Sequence, residues 1–306
     1  MRKFFFCLIM SCLPVLTIAA QTVLDSIPFE LGADSRVYLR CRVNDSDTLR
    51  FLLDTGATDM VMNPNAPRSN YTMNFDSEVT NSGATGVNQI RSSSSNRFIV
   101  GKTAVENMRF LSIPYPADIW DGVIGLSFIG RCPMRIDYHR RMIYLYDSED
   151  FEAPEGALRL KVEYEMGVPV VPVRVRVNGR DYQIRVEVDM GSDRILDLNT
   201  PFVRTHNLLG SQAPFAISKI SSSDANTGEL LNVFFDELEL DGLVLPRIPG
   251  AFSTVTAGVQ ASDKMDGVFG NNFLQRFNMT LDLQRGFIYL EPNNLLYKPF
   301  YDFLLR

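Results

Sequence analysis

Two stretches decide how this chain is read: Phe51-Leu52-Leu53-Asp54-Thr55-Gly56-Ala57-Thr58 and Val186-Glu187-Val188-Asp189-Met190-Gly191-Ser192. In each, an aspartate ends a run that reads as a buried strand, and a glycine follows two places on. A carboxylate at the end of a hydrophobic strand is costly to bury alone. Two of them brought face to face can share one proton and activate a water.

The duplication extends well beyond the two acids. Asp121-Gly122-Val123-Ile124-Gly125-Leu126-Ser127-Phe128 has a counterpart in Asp266-Gly267-Val268-Phe269-Gly270-Asn271-Asn272-Phe273. From there the copies run on without a gap, matching Arg131 with Arg276, Met134 with Met279, Asp137 with Asp282, Arg140 with Arg285, and Ile143-Tyr144-Leu145 with Ile288-Tyr289-Leu290. Upstream, Arg42-Val43-Asn44 leads into the first acid as Arg176-Val177-Asn178-Gly179 leads into the second, with one residue of slippage in the turn. The repeated unit is a whole lobe, not a short motif.

Composition fits two lobes that each bury a core: 306 residues, 45% hydrophobic and 22% charged. That is ordinary globular usage and excludes disordered and fibrous classes. The net charge is −6 and no dense basic stretch occurs, which argues against nucleic acid as a partner and disfavours an anionic membrane surface. His139 and His206 are the only histidines, which argues against a serine triad or a histidine zinc site; neither lies in a metal-ligand spacing, and both read as surface residues. No cofactor and no metal is expected.

The N-terminus runs Arg2-Lys3, a largely apolar stretch from 4 to 18, then Ala19-Ala20-Gln21. This charged, apolar, small-residue order reads as a signal peptide over 1–20, with export to the periplasm or the exterior. Cys12 permits a lipid-anchored alternative, against which the segment after it is still apolar. Later segments fall short of ~18 consecutive apolar residues, so no stable transmembrane segment is expected in the mature chain. Cys41 and Cys132 would remain after cleavage, read as two separately buried thiols with a disulfide as the lesser alternative.

Strands dominate the rest. Val37–Val43 and Leu49–Leu53 flank a polar turn at Asn44-Asp45-Ser46-Asp47. In the second half, strands over 170–177 and 182–188 flank Asn178-Gly179, a strong hairpin signal, and alternation over 171–177 sets valines on one face. Short helical turns are predicted at 126–131, 201–207 and 271–277. The boundary between lobes is placed at 148–156, giving units of 21–155 and 156–306.

These residues resemble the retropepsin-like and pepsin-like aspartic proteases, particularly bacterial secreted enzymes with both lobes in one chain. The resemblance rests on Asp54-Thr55-Gly56-Ala57 after apolar strands, on its repeat at Asp189, and on the glycine-ended pairs Val123-Ile124-Gly125 and Val268-Phe269-Gly270. It implies a mostly β fold of two pseudo-twofold-related β-barrel lobes with a few short helices. It also implies an aspartic-type endopeptidase in which Asp54 and Asp189 are catalytic, acting on peptide or protein as a monomer. Thr55, Gly56, Gly191 and Ser192 would support the dyad, with glycine N–H groups aimed at the carboxylates and Gly125 and Gly270 letting a second strand pass close by. A flap from the first lobe is expected over residues 80–91, its tip at Gly83, Ala84, Thr85 and Gly86; the aromatic residue of many pepsin flaps is missing, and a mobile surface loop is the plainer alternative.

One position departs from the family pattern. Met190 stands where a threonine or serine would complete a pair of hydroxyls bracing the two turns, so only Thr55 can supply its half. A lost buried hydrogen bond costs on the order of 1 kcal/mol and loosens the geometry. Ser192 can bond the outer oxygen of Asp189, whereas Ala57 cannot do so for Asp54, an asymmetry that would leave Asp189 ionised and Asp54 protonated. Residues 111–116 and 249–252 can line the cleft or pack in the core. Asp121, Asp266, Asp137 and Asp282 read as structural. Three classes remain: an exported peptidase, a pseudoprotease that binds peptide or a protein partner in the same cleft, and a β-rich binding module whose acids are structural. With Trp120 the only tryptophan, a carbohydrate-stacking platform is disfavoured.

Overall fold

The computed structural model describes residues 21–300 apart from 68, 69 and 225. The signal-peptide reading over 1–20, with Cys7 and Cys12, lies outside the described residues.

The hairpins form where alternation and turn chemistry place them. Val168–Val177 buries Val171, Val173, Val175 and Val177 on one face and leaves Pro172 exposed. It turns into Arg180–Asp189 through Asn178 at φ 50° and Gly179 at φ 72°, the left-handed pair that a tight hairpin turn needs. In the first half, Val37–Val43 pairs antiparallel with Leu49–Leu53, with Asn44 at φ 52° opening the turn. Each acid-bearing strand then takes a parallel neighbour from the glycine-rich repeat: Leu49–Leu53 beside Gly122–Ile124, and Arg180–Asp189 beside Gly267–Gly270. Long hairpins close the lobes, because Val37–Val43 also pairs with Val87–Val100 and Val168–Val177 also pairs with Thr227–Leu240. The architecture is mostly β, two-lobed and sparing in helix, as expected.

The lobes are joined by sheet rather than by a linker alone. Met134–Asp137 pairs antiparallel with Phe277–Asp282, and in that ladder Arg135 stands opposite Thr280. The internal repeat equates those same two residues, so the pseudo-twofold axis passes between them. Outward from this seam run Met142–Tyr146 and Val23–Leu31 on one side, Phe287–Pro292 and Leu158–Lys161 on the other. Asp137 accepts hydrogen bonds from the Arg140 backbone N–H and guanidinium, both at 2.9 Å, and Asp282 meets Arg285 at 3.4 Å, so both acids close the turns after their strands.

The helical turns are Leu126–Ile129, Thr200–Thr205 and Asn271–Leu274, shorter than their sequence windows; the first and third follow the glycines Gly125 and Gly270. His139 is exposed, but His206 is half-buried and packs at an angle against Phe202 and Tyr182 with ring centroids 4.4 and 4.8 Å away. The apolar face of the Thr200–Thr205 turn draws it in, which corrects the surface reading. Cys41 is buried and Cys132 half-buried, both as free thiols. Among the described residues no helix is long and apolar enough to cross a membrane.

Candidate active site

Strand pairing brings each aspartate to the floor of a cleft between the lobes. Asp54 Oδ1 accepts the Gly56 N–H at 2.7 Å, and Asp189 Oδ1 accepts the N–H groups of Gly191 at 2.8 Å and Ser192 at 3.1 Å. The two carboxyl groups lie within hydrogen-bonding reach of one another. The glycines face across the seam. A Cβ on Gly191 would sit 2.3 Å from Asp54 Cγ, and one on Gly56 would sit 2.9 Å from Asp189 Cγ. Gly125 and Gly270 stand at the ends of the strands that run beside the acid-bearing ones, Gly270 opposite Asp189, and a Cβ there would also meet Asp59 O at 2.1 Å or Arg194 O at 2.4 Å in the loop that follows each acid.

Further symmetric bonds hold these turns. The Arg50 N–H donates to Asp121 Oδ2 at 2.7 Å, and the Arg185 N–H to Asp266 Oδ2 at 2.8 Å, so Asp121 and Asp266 anchor the acid-bearing strands at matched positions ahead of each acid. The brace between the lobes is one-sided. Thr55 Oγ1 donates to Val188 O at 2.5 Å and accepts the Met190 N–H at 3.0 Å, while the Met190 side chain is fully buried in the core.

Electrostatics reverse the asymmetry expected from Ser192. Burial drives both aspartates upward. Asp54 is restrained by its hydrogen bond with Asp189, by the Gly56 N–H, by the positive charge of Arg36 and by the Ala57 N–H. Asp189 goes well above the usual carboxylate range through burial, the charge of Asp54 and the charge of Glu187. Both acids are driven upward, and of the two Asp189 is the more strongly favoured to keep its proton. Ser192 contributes its N–H to Asp189, while its Oγ accepts the Arg194 N–H at 3.2 Å.

Two charged neighbours of the dyad had no signal in the sequence. Arg36 reaches across the seam, its Nε donating to Gly191 O at 2.5 Å, with Asp34 and Asp193 as ion-pair partners. Glu187 is 5% exposed, and burial with the Asp54 charge pushes its carboxyl up to about 8. Because that value is raised from 4.5, the stability linked to Glu187 is complete below about pH 4.5 and is lost as pH rises toward 8. The loss is on the order of a few kcal/mol. Glu187→Gln should therefore melt roughly 3–8 °C above wild type at pH 8 and no higher than wild type at pH 4, which thermal denaturation at the two pH values would check.

The expected flap is a hairpin of Ser77–Ser82 and Val87–Val100, with Gly83, Ala84, Thr85 and Gly86 at its tip. A second hairpin, Ala216–Ser221 with Thr227–Leu240, rises from the other lobe to meet it. The tips clasp: the Ala84 N–H donates to Ser222 Oγ at 2.6 Å, and Thr85 donates to Asp224 through N–H at 3.0 Å and Oγ1 at 2.8 Å. Behind them the Val259 and Gln260 N–H groups bond Gly83 O and Ala84 O at 3.0 and 3.1 Å. Small polar residues at Ser222, Ser223 and Asn226 mirror those of the first tip and were the available signal. Burial opposes ionisation of Asp224, but the Thr85 hydroxyl and the N–H groups of Asn226 and Thr85 outweigh it and hold the carboxyl below the ordinary value of 3.8. The clasp thus holds above that value and loosens as pH falls through the depressed one. Asp224→Ala should speed amide exchange at 83–86 by roughly 10- to 100-fold at neutral pH, as expected for losing charged hydrogen bonds.

The cleft has a volume of ≈ 350 Å³ and is lined by Asp54, Asp189, Glu187, Leu52, Tyr115 and Trp120, among others. Tyr115 and Trp120 pack edge to face at 5.1 Å, so the 111–116 stretch does reach the cleft through its tyrosine. Phe252, 1% exposed, packs on Phe235 instead, and 249–252 belongs to the core. Among the described residues no group of three or more His, Cys, Asp or Glu side chains could hold a metal ion.

Residues 39–128 match the family model described as aspartyl protease. A search of curated protein sequences gave no match. Among solved structures, an aspartic proteinase from Irpex lacteus aligns over 89% of this chain and 98% of its own, with a TM-score of 0.60 and 11% identity. The sequence match covers part of the first lobe, and over the rest of the chain the likeness to an aspartic proteinase is one of fold.

Proposed function

We propose that this protein is an exported aspartic endopeptidase that hydrolyses peptide bonds with a water activated between Asp54 and Asp189. The observation that carries the reading is the meeting of two half-buried acids from matched turns, each against the other lobe's glycine. Ionised Asp54 takes a proton from the water as its oxygen attacks the scissile carbonyl carbon. Protonated Asp189 gives its proton to the carbonyl oxygen, so a neutral tetrahedral diol forms without a full oxyanion. Asp54 then passes its proton to the departing nitrogen, a diol hydroxyl returns one to Asp189, and the C–N bond breaks. No covalent intermediate is needed.

Cleft geometry supports the peptide class of substrate. The Ser77–Ser82 and Val87–Val100 hairpin lies over the acids, and its backbone can pair with an extended chain once the clasp to Asp224 opens. Both acids come from one chain, which supports a monomer, and the N-terminal charged and apolar order supports export. Incubating the mature protein with a mixed peptide library from pH 3 to 8 and reading new termini by mass spectrometry tests the proposal. Internal cuts are the expected result. Buried Met190, which leaves the inter-lobe brace one-sided, favours a second reading as a pseudoprotease; intact peptides that nevertheless bind would establish it.

A further inference from the structure

The pseudo-twofold repeat sets matched positions side by side, and at the cleft floor they differ in kind. Leu52 pairs with Val123 and Glu187 with Val268, so the repeat equates Leu52 with Glu187. Val61 and Asp197 are equated in the same way by their antiparallel pairing to Val123 and Val268. In the first lobe this floor is apolar: Leu52 and Val61 cluster with Tyr38, Ile90 and Val123, and Tyr115 and Trp120 pack against them. In the second lobe the same floor is acidic.

The two second-lobe acids are not equally provided for. Asp197 receives Arg194 Nε at 3.2 Å and Gln260 Nε2 at 3.3 Å. Glu187 has no hydrogen-bond donor and no ion-pair partner among the described residues, although it is 5% exposed. Its Oε1 lies 3.0 Å from the place a Cβ would take on Gly56, over the turn that carries Asp54. The cations that face the cleft are engaged or remote: Arg36 is tied to Asp34, Asp193 and Gly191 O, Arg194 to Asp197, and Lys219 lies exposed on the second hairpin without pairing to Glu187. A buried carboxylate without a partner is costly, and a ligand that brings a cation removes that cost.

Resting on the peptidase reading, we propose that Glu187 selects a lysine or arginine side chain next to the scissile bond on the second-lobe side, while Leu52, Tyr115 and Trp120 take an apolar side chain on the other. A lysine or arginine brought against Glu187 favours its ionised form and pairs with it, whereas a neutral isostere gains no such pair. The substrate is thus a peptide with an apolar and a basic residue flanking the cut.

The test uses peptides in which an apolar residue stands before or after Lys, Arg, Gln or Leu, together with reduced-bond analogues that bind without being cut. Wild type should favour Lys or Arg over Leu by roughly 10- to 100-fold, in kcat/KM for the peptides and in Kd for the analogues. Glu187→Leu, which restores the first lobe's residue, should reverse that ratio, and the near-isosteric Glu187→Gln should level it. An unchanged ratio in both variants, a wild-type preference for Leu, or no binding of any analogue would overturn the proposal. Basic-selective binding without cleavage would uphold it while refuting the peptidase reading.

Discussion

Asp54→Asn yields a folded protein that no longer cuts peptides, with kcat reduced by roughly 10³-fold or more. The substitution preserves shape, and the amide oxygen can still accept the Gly56 N–H that now reaches Asp54 Oδ1 at 2.7 Å. What is lost is the base. Of the two acids Asp54 is the more favoured to ionise, because its partner is pushed higher by burial and by two neighbouring carboxylates. An amide in its place cannot take the proton of a water. Removing one of two facing acids also relieves repulsion, so the melting temperature should not fall. Asp189→Asn should be equally inert, for the loss of the proton that polarises the carbonyl. Steady-state kinetics on a cleavable peptide beside a thermal melt would decide the matter. Cleavage within tenfold of wild type would show that the chemistry lies elsewhere.

Gly191→Ala should cost at least about 10²-fold in kcat, although it touches neither carboxylate covalently. Backbone strain is not the reason, since Gly191 is absent from the positive-φ glycines. The reason is space. The new Cβ would stand 2.3 Å from Asp54 Cγ and 2.5 and 2.6 Å from its two oxygens, so the acid must be driven from its place across the seam. Overpacking of this kind also costs about 1–3 kcal/mol of stability. Gly56→Ala is the milder control, its Cβ meeting Asp189 Cγ at 2.9 Å and Glu187 Oε1 at 3.0 Å. Measuring kcat for the two variants side by side tests the seam directly. Equal, near-wild-type rates would mean that the turns are not packed as described.

The fold was legible wherever local chemistry writes itself into the chain. Alternating valines over 171–177, Asn178-Gly179 and the apolar runs before each acid specify strands and turns through interactions a few residues long. The repeat then carried the rest, because a duplicated lobe implies an axis between its copies, and Arg135 opposite Thr280 is where that axis falls. Even so, His206 was misplaced, since its burial depends on Phe202 and Tyr182 meeting above it. The clasp between Thr85 and Asp224 joins tips on different lobes, and nothing near either residue announces the other.

By itself, then, the sequence determined the two-lobed β architecture and named Asp54 and Asp189 as the residues to watch, since strand periodicity and an aspartate–glycine turn are properties of short segments. Only the tertiary structure decided which acid is the more favoured to keep its proton, that Glu187 stands unpaired beside the dyad, and that Met190 is core. Those outcomes follow from burial and from charges brought close through space, and both depend on distances that chain order does not contain.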